Sequence, residues 1–531
     1  MAILKNSLIV AAWTGLSRVL GFARDLLIAN KLGAGMASDA FFIALQLPNL
    51  LRRLLGEGAF NVAFVPLLAR EQAKGHAEAK QFAEAVLGWF VVVLVVLTAL
   101  GMLAMPAIVT ALVPGWVGDA AKFDLTVALG RITFPYMLMI TLAAFMGAVC
   151  NTAGRFAAYA MVPSFLNLAF ILGLFALPQA GLSPAYAAAW SVPLGGLAQV
   201  GYMVWEVRRA GYNLRLRLPR KHPLIRPMLM RMGPAALGVG VLQLSLVIDN
   251  FIASWVGEGA VSYLQYANRF YQLPLALIGI AVATVLLPHL STLLGKGDKA
   301  GAGQAFQSAL VACLTIATGA TVGLMVLAPE LMLTLLNHGA FTADAALAVA
   351  YAMMGYVLGL PAYILTKVTA PAFFANEDAK SPLKASATAL GVNLLCNIGF
   401  VWVLTRMGDG NMAHVGIALA TAVGGYVNAG LQWHWLRRQG VYVGAEAGLG
   451  RAITKMLGVA AAMAGALMVA KAVLPYPAEA LLAWRLAWCA AMAGVGGVVF
   501  VLAIDRAGLV KLKDFVALLK RRGKGLPVDV A

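Results

Sequence analysis

The sequence predicts an all-α integral membrane protein of fourteen transmembrane helices, arranged as two pseudo-symmetric six-helix lobes followed by two C-terminal helices. Three observations predict it. The 531 residues are 61% hydrophobic and only 12% charged, where a soluble domain has about 25% charged residues. Half that charge leaves apolar surface that must face lipid. Apolar runs long enough to span a bilayer, about 20 residues each, recur from end to end, as at 85–104, 309–328 and 487–504. The basic residues collect in alternate loops, which is the orientation signal of membrane proteins. The net charge of +18 is therefore a topology signal and not the footprint of a nucleic-acid binder.

The predicted spans run 7–29, 36–58, 83–106, 127–150, 157–178, 184–206, 230–254, 261–292, 303–327, 345–374, 382–404, 414–436, 452–473 and 482–505. They must be helices because lipid cannot satisfy free backbone groups. The first apolar run carries Arg18 and Arg24 and reads as a mature span, not a cleaved signal. The loop after the sixth span holds Arg208, Arg209, Arg215, Arg217, Arg220, Lys221, Arg226 and Arg231; the loop after the twelfth holds Arg437, Arg438, Arg451 and Lys455. The end of the chain holds Lys511, Lys513, Lys520, Arg521, Arg522 and Lys524, while 178–184, 257–260 and 475–480 lack Lys and Arg. Both termini are thus expected in the cytoplasm, with the basic tail on anionic phospholipid headgroups. The expected divisions are a first lobe 1–208, a basic loop 209–229, a second lobe 230–440, the last two spans 441–510 and a basic tail 511–531.

An internal repeat supports the two lobes. Ile28-Ala29, Gly33-x-Gly35 and Gln46-Leu47-Pro48 recur as Ile252-Ala253, Gly257-x-Gly259 and Gln272-Leu273-Pro274. Both copies turn on the outer side, so the repeats share a topology, which implies a pseudo-twofold along the membrane normal and a substrate site between lobes. The last two spans stand outside the repeat.

Charges inside spans are costly and usually face a polar cavity. Arg18 lies about ten residues, or about 15 Å, into the first span. Arg24 lies further outward, Asp39 starts the second span, and Arg52, Arg53 and Glu57 sit toward its cytoplasmic end; Arg269 lies inside the eighth. These form a cationic cavity for an anionic headgroup, since the arginine fork grips phosphate at two points and stays charged. Plainer readings stand beside this one. Arg53 and Glu57 are spaced to pair with each other, Arg52, Arg53 and Arg70 follow the positive-inside rule, and Arg24 has Asp25 and Asp39 as partners. A second set, Asp249, Asn393, Asn397 and Thr421, offers oxygens suited to a sodium ion; alternatively it hydrogen-bonds neighbouring helices.

Cys150, Cys313, Cys396 and Cys489 are scattered in apolar runs and read as small buried residues. There is no GxxxxGK[ST], HExxH, CxxC or GxSxG, and the six histidines are dispersed. ATP-driven transport and an intramembrane enzyme are therefore not expected, and no cofactor other than the sodium ion is.

The motifs resemble one family. Ser17-Arg18-Val19-Leu20-Gly21-Phe22-Ala23-Arg24-Asp25 is similar to the first-helix signature of the MurJ flippases. So are Ser38-Asp39-Ala40-Phe41, Leu47-Pro48-Asn49-Leu50-Leu51-Arg52-Arg53, Glu57-Gly58-Ala59-Phe60 and Arg131-Ile132-Thr133-Phe134-Pro135-Tyr136. Met232-Gly233-Pro234-Ala235, Gly339-x-Phe341-Thr342 and Lys380-x-Pro382-x-Lys384 extend the likeness along nearly the whole chain. The resemblance implies the fold of the multidrug/oligosaccharidyl-lipid/polysaccharide exporters, lipid II as substrate, alternating access and an inner-membrane location. It implies that the essential family charges are Arg18, Arg24, Asp39, Arg52, Glu57 and Arg269, and that the last two helices form a groove for the polyprenyl tail. Coupling to membrane potential or an ion gradient, and a monomer, are expected. Some relatives carry acids where Asn268, Gln272 and Asn397 stand, which weakens an ion role there. The competing expectations are a drug or sodium exporter, or a flippase for another lipid-linked glycan.

Overall fold

The computed structural model describes residues 2–53, 60–407, 412–442 and 448–509. The described residues form eighteen α-helices and a 3-10 turn, with no strand. They are α1 (Ala2–Leu32), α2 (Met36–Leu51), α3 (Phe60–Lys74), α4 (His76–Leu103), α5 (Met105–Leu112), α6 (Ala120–Thr133), α7 (Tyr136–Thr152), α8 (Phe156–Gln179) and α9 (Pro184–Arg209). There follow α10 (Ile225–Ala253), α11 (Ala260–Gly295), α12 (Lys299–Leu336), α13 (Ala343–Leu358), α14 (Leu360–Ala375), α15 (Lys380–Arg406), α16 (Ala413–Gln439), α17 (Leu449–Val473) and α18 (Leu482–Arg506). Among the described residues every predicted span falls on a helix or a broken pair of helices; residues 54–58 of the second span lie outside them. Among the described residues, eight helical stretches are long and apolar enough to cross a membrane, α6 and α7 being taken as one of them, and nine if the bent pair α13–α14 also counts as one.

The breaks have local causes. The fourth predicted span is two helices, α6 and α7, because Pro135 has no N–H to continue the ladder. The tenth is α13 and α14, bent by 40° at Gly359, where a Cβ would lie 2.8 Å from the Ala422 backbone. The sequence reading has a loop at 59–82; the structure has α3 there. Phe60, Phe64, Leu67, Leu68 and Glu71 recur at three- and four-residue steps and bury one face of it.

The chain forms two compact units. The first holds Met1–Ser262 with His338–Thr342, the second Tyr263–Asn337 with Ala343–Ala531. The first is centred on stacked phenylalanines: Phe60 lies on Phe64 at 4.7 Å and Phe64 reaches Phe145 at 5.2 Å, all fully buried. The second has its main core among α11, α12, α14 and α16, around Phe306, Ile364, Val368 and Phe373, and smaller cores where α17 and α18 pack on α12. Large apolar side chains stay exposed along α8 (Leu168, Leu172, Phe175), α9 (Trp190, Leu194, Leu197) and α17 (Leu457, Met468, Val469). On spanning helices these faces meet lipid tails.

The basic stretch after α9 is an ordered strap over the α3–α4 turn. Tyr212 is buried against His76 at 4.4 Å. The Arg215 N–H donates to Glu84 Oε1 at 3.1 Å and the Arg217 Nε lies 3.3 Å from Glu84 Oε2. The Trp89 indole donates to the Arg220 carbonyl at 3.1 Å, and the His222 ring rests on Phe82 at 5.1 Å. Burial pushes the His222 imidazole below its ordinary pKa; Glu71 opposes this and Lys74 adds to it. The docked strap therefore binds a proton less readily than the released one. Docking is strongest above the free imidazole value of about 6.5 and is lost as pH falls below it. Backbone hydrogen exchange over residues 212–224, corrected for intrinsic rates, should accelerate as pH is lowered through about 6.5, and His222→Phe should remove that acceleration.

Candidate functional site

The turns α1–α2 and α10–α11 are the two copies of the Gly-x-Gly repeat, and each caps the other's helix. A helix N-terminus presents unpaired N–H groups and partial positive charge. At the start of α11, Asp39 of α2 supplies the acceptor. The Gly259 N–H donates to Asp39 Oδ2 at 2.8 Å, and the Ser262 N–H and hydroxyl both donate to Oδ1 at 2.8 Å. At the start of α2, Glu258 returns the service: the Met36 N–H donates to its Oε1 at 2.8 Å. Asp39 is fully buried, whereas Glu258 is exposed, so the first cap carries more energy. Glycine is required where the strands of this knot touch. Gly33 has φ +67, and a Cβ on it would lie 2.5 Å from the Ala340 carbonyl; the Ala340 N–H in turn donates to the Asn30 carbonyl at 2.8 Å.

The fourth partner of Asp39 is Lys122 of α6. Its ammonium donates to Asp39 Oδ2 at 2.7 Å and sits 4.2 Å from the Trp116 ring centre. The Lys122 side chain is 5% exposed and that of Asp39 is 0%. Sequence reasoning missed Lys122 because it lies outside the spans that were scored for buried charge. Its signal was a lone lysine two residues before an acid, followed by an apolar stretch, which composition alone does not separate from a loop residue. With four donors, the carboxylate of Asp39 is an anchor within the protein in this structure, not an open ligand.

The arginines take different positions. Arg24 is a clamp: Nη2 donates to Asp25 Oδ1 at 2.7 Å, Nη1 donates to Asn167 Oδ1 at 2.9 Å, and the guanidinium lies 5.5 Å from the Phe170 ring. Asn167 donates back to the Ser17 carbonyl at 2.9 Å, so α1 and α8 are joined through it. Arg18 is exposed and, among the described residues, has no hydrogen bond or ion pair. Arg52 is half-buried in a π-turn that ends α2; Arg53 Nη1 donates to Gln243 Oε1 at 2.7 Å. Glu57 lies outside the described residues. Arg269 is exposed on α11 in the second unit. A further tie missed in the sequence joins α2 to α10, where Asn250 Nδ2 donates to Gln46 Oε1 at 2.7 Å.

Of the four residues read as a sodium set, three come together. Asn397 Nδ2 donates to Asn393 Oδ1 at 3.2 Å, and Asn393 Nδ2 donates to Thr421 Oγ1 at 3.3 Å. This is the geometry of amides joining α15 to α16. Asp249 is buried and belongs to the other compact unit. Among the described residues no group of three or more His, Cys, Asp or Glu side chains is arranged to hold a metal.

Long apolar helices with buried charge, a repeated turn and an arginine within a span that has no partner among the described residues define a polytopic membrane transporter. Solved structures agree on the fold. One titled lipid II flippase MurJ, inward closed conformation, matches with a TM-score of 0.76 at 24% identity, covering 97% of this chain and 100% of that one. An inward-facing multidrug resistance MATE transporter of the MOP superfamily matches with a TM-score of 0.63 at 16% identity, covering 81% of this chain and 97% of that one. The family model for lipid II flippase MurJ matches residues 28–484. A probable lipid II flippase MurJ of Rhizobium tropici is 41% identical over 474 residues, covering 88% of this chain and 87% of that protein. A lipid II flippase MurJ of Burkholderia cenocepacia is 37% identical, covering 88% and 89%. The chain belongs to the lipid II flippase MurJ family.

Lys122 gives the site a direct test. Removing one partner of a buried ion pair costs about 3–5 kcal/mol because the other charge stays buried. Lys122→Met should therefore lower the thermal midpoint of the purified protein clearly. The double variant Lys122→Met with Asp39→Asn, which removes both charges, should recover part of the loss. Differential scanning fluorimetry in detergent checks both.

Proposed function

We propose that this chain is a lipid II flippase of the bacterial inner membrane, and that it transports without catalysing a reaction. It moves the undecaprenyl-diphosphate-linked peptidoglycan precursor from the cytoplasmic to the outer leaflet by alternating access, with both of its termini in the cytoplasm. The observation that carries the reading is Arg18, an exposed guanidinium with no hydrogen bond or ion pair among the described residues, deep in an apolar helix. A charge at that depth is stable only against a polar cavity, and a guanidinium fork there presents open donors to the oxygens of a diphosphate. Arg24, held by Asp25 and Asn167, sets the position of α1. Arg52 contributes further positive charge to headgroup binding.

On this topology the Asp39 knot closes the outer side, and opening outward parts α2 from the N-terminus of α11. The polyprenyl tail stays in lipid alongside α17 and α18. The membrane potential resets the empty cationic cavity, since each charge moved across 100 mV is worth about 2.3 kcal/mol.

Cells depleted of their own flippase and supplied with this chain should again expose lipid II on the outer face. Arg18→Ala should insert normally and restore no exposure, while Arg18→Lys should restore part of it. A fully active Arg18→Ala would remove the reading of α1 as the headgroup site.

A further inference from the structure

A second polar site lies in the first unit, apart from Arg18 and the Asp39 knot. A cavity of about 480 Å³ is walled by Trp13 of α1, Arg155 and Phe156 at the start of α8, and Tyr202, Trp205 and Glu206 near the end of α9. On the orientation proposed above, this is the cytoplasmic edge of the membrane.

Its chemistry is two-sided. Arg155 Nε and Nη2 both donate to Glu206 Oε2, at 2.9 and 2.6 Å. The Glu206 side chain is 7% exposed, and among the described residues its other oxygen, Oε1, accepts no hydrogen bond. Arg209 Nη1 stands off from Oε1 at 4.0 Å, with its guanidinium over the Trp205 ring at 4.6 Å. A carboxylate oxygen with no hydrogen bond and only a 4.0 Å cation, beside the Trp13, Tyr202 and Trp205 rings, makes a place for a cation. The same cavity also invites an anion. The N-terminus of α8 has no side-chain cap and has Arg155 as its N-cap residue, which together suit a phosphate; Arg209 stands on the far side of Glu206. Its mouth is continuous with an apolar stripe on α9: Trp190, Leu194, Leu197 and Trp205 are all exposed at three-, four- and eight-residue steps.

We propose that this cavity binds the headgroup of an aminophospholipid. Its phosphate rests on the α8 N-terminus with Arg155, its primary ammonium donates to Glu206 Oε1 within the aromatic walls, and its acyl chains run along the α9 stripe. A purely anionic headgroup would leave Glu206 Oε1 unanswered and meet its charge. The zwitterion answers both halves of the site at once.

Native mass spectrometry of the full chain released from nanodiscs of equal phosphatidylethanolamine and phosphatidylglycerol tests this. The wild type should retain one phosphatidylethanolamine in preference to phosphatidylglycerol. E206Q should cut that preference about tenfold, the worth of one hydrogen bond to a charged group. W205L leaves the Arg155–Glu206 pair intact and should cut it several-fold, so a poorly folding E206Q does not remove the test. Equal retention of the two lipids by the wild type, or a preference unchanged in W205L, would overturn the proposal. Retention is read without transport, so either result leaves the flippase reading standing.

Discussion

The structure depends on one buried carboxylate. A charge removed from water is tolerable only when donors replace its hydration. Asp39 has four: a lysine ammonium, a serine hydroxyl and two backbone N–H groups at the start of α11. The backbone donors are ones that the end of α11 would otherwise leave unpaired. Two liabilities, a charge without water and a helix end without acceptors, cancel at one point. That point joins α2, α6 and α11, and with Glu258 it fastens the two repeats' turns to each other.

The same constraint sorts the arginines. Arg24 is neutralised by Asp25 and shielded by Phe170, so it fixes the relation of α1 to α8. Arg53 is satisfied by an amide. Arg18 differs in having no partner among the described residues, and on the reading proposed above that difference is what opens it to a headgroup. A guanidinium whose donors the protein already holds has fewer left for a diphosphate, whereas one held open keeps all five, with hydration water as their competitor. Arg24 lets Arg18 stay open by holding the helix that carries it.

Much of this was legible in the sequence, and the physical reason is uniform. Lipid forces helices and isolates charges, so apolar runs and the charges within them stand out in one dimension. The family likewise followed from Ser17 to Asp25 and from the run around Arg52. What stayed hidden was pairing. Arg24 had two acids within reach, and only the fold chose Asp25. Asp39 read as one more cavity charge because its donors are a lysine in α6 and backbone amides more than two hundred residues away. The lobes anticipated at 1–208 and 230–440 rested on a repeat; the contacts place α10 and the first turn of α11 with the first unit, because Asp39 and Gln46 hold them there. The i,i+4 spacing of Asn393 and Asn397 put them on one helix face, but spacing does not distinguish amides that coordinate an ion from amides that bond each other.

On the alternating-access reading, the Asp39 knot also sets an energy scale. Parting α2 from α11 breaks three hydrogen bonds to a charged acceptor, each worth about 1.5–3 kcal/mol. Swinging a two-state equilibrium from 1:99 to 99:1 takes about 5.5 kcal/mol. The knot is thus of the size needed to hold the empty protein closed on the outer side and to yield when a substrate binds the open form better by a comparable amount. Lys122 makes the step reversible. It rides on α6, whose Thr133 hydroxyl donates to the Ala44 carbonyl of α2 at 2.8 Å, so it travels with Asp39 when α11 leaves. The carboxylate then keeps one strong partner in both states, and the cost of opening stays within the reach of a ligand instead of rising to that of a bare buried charge.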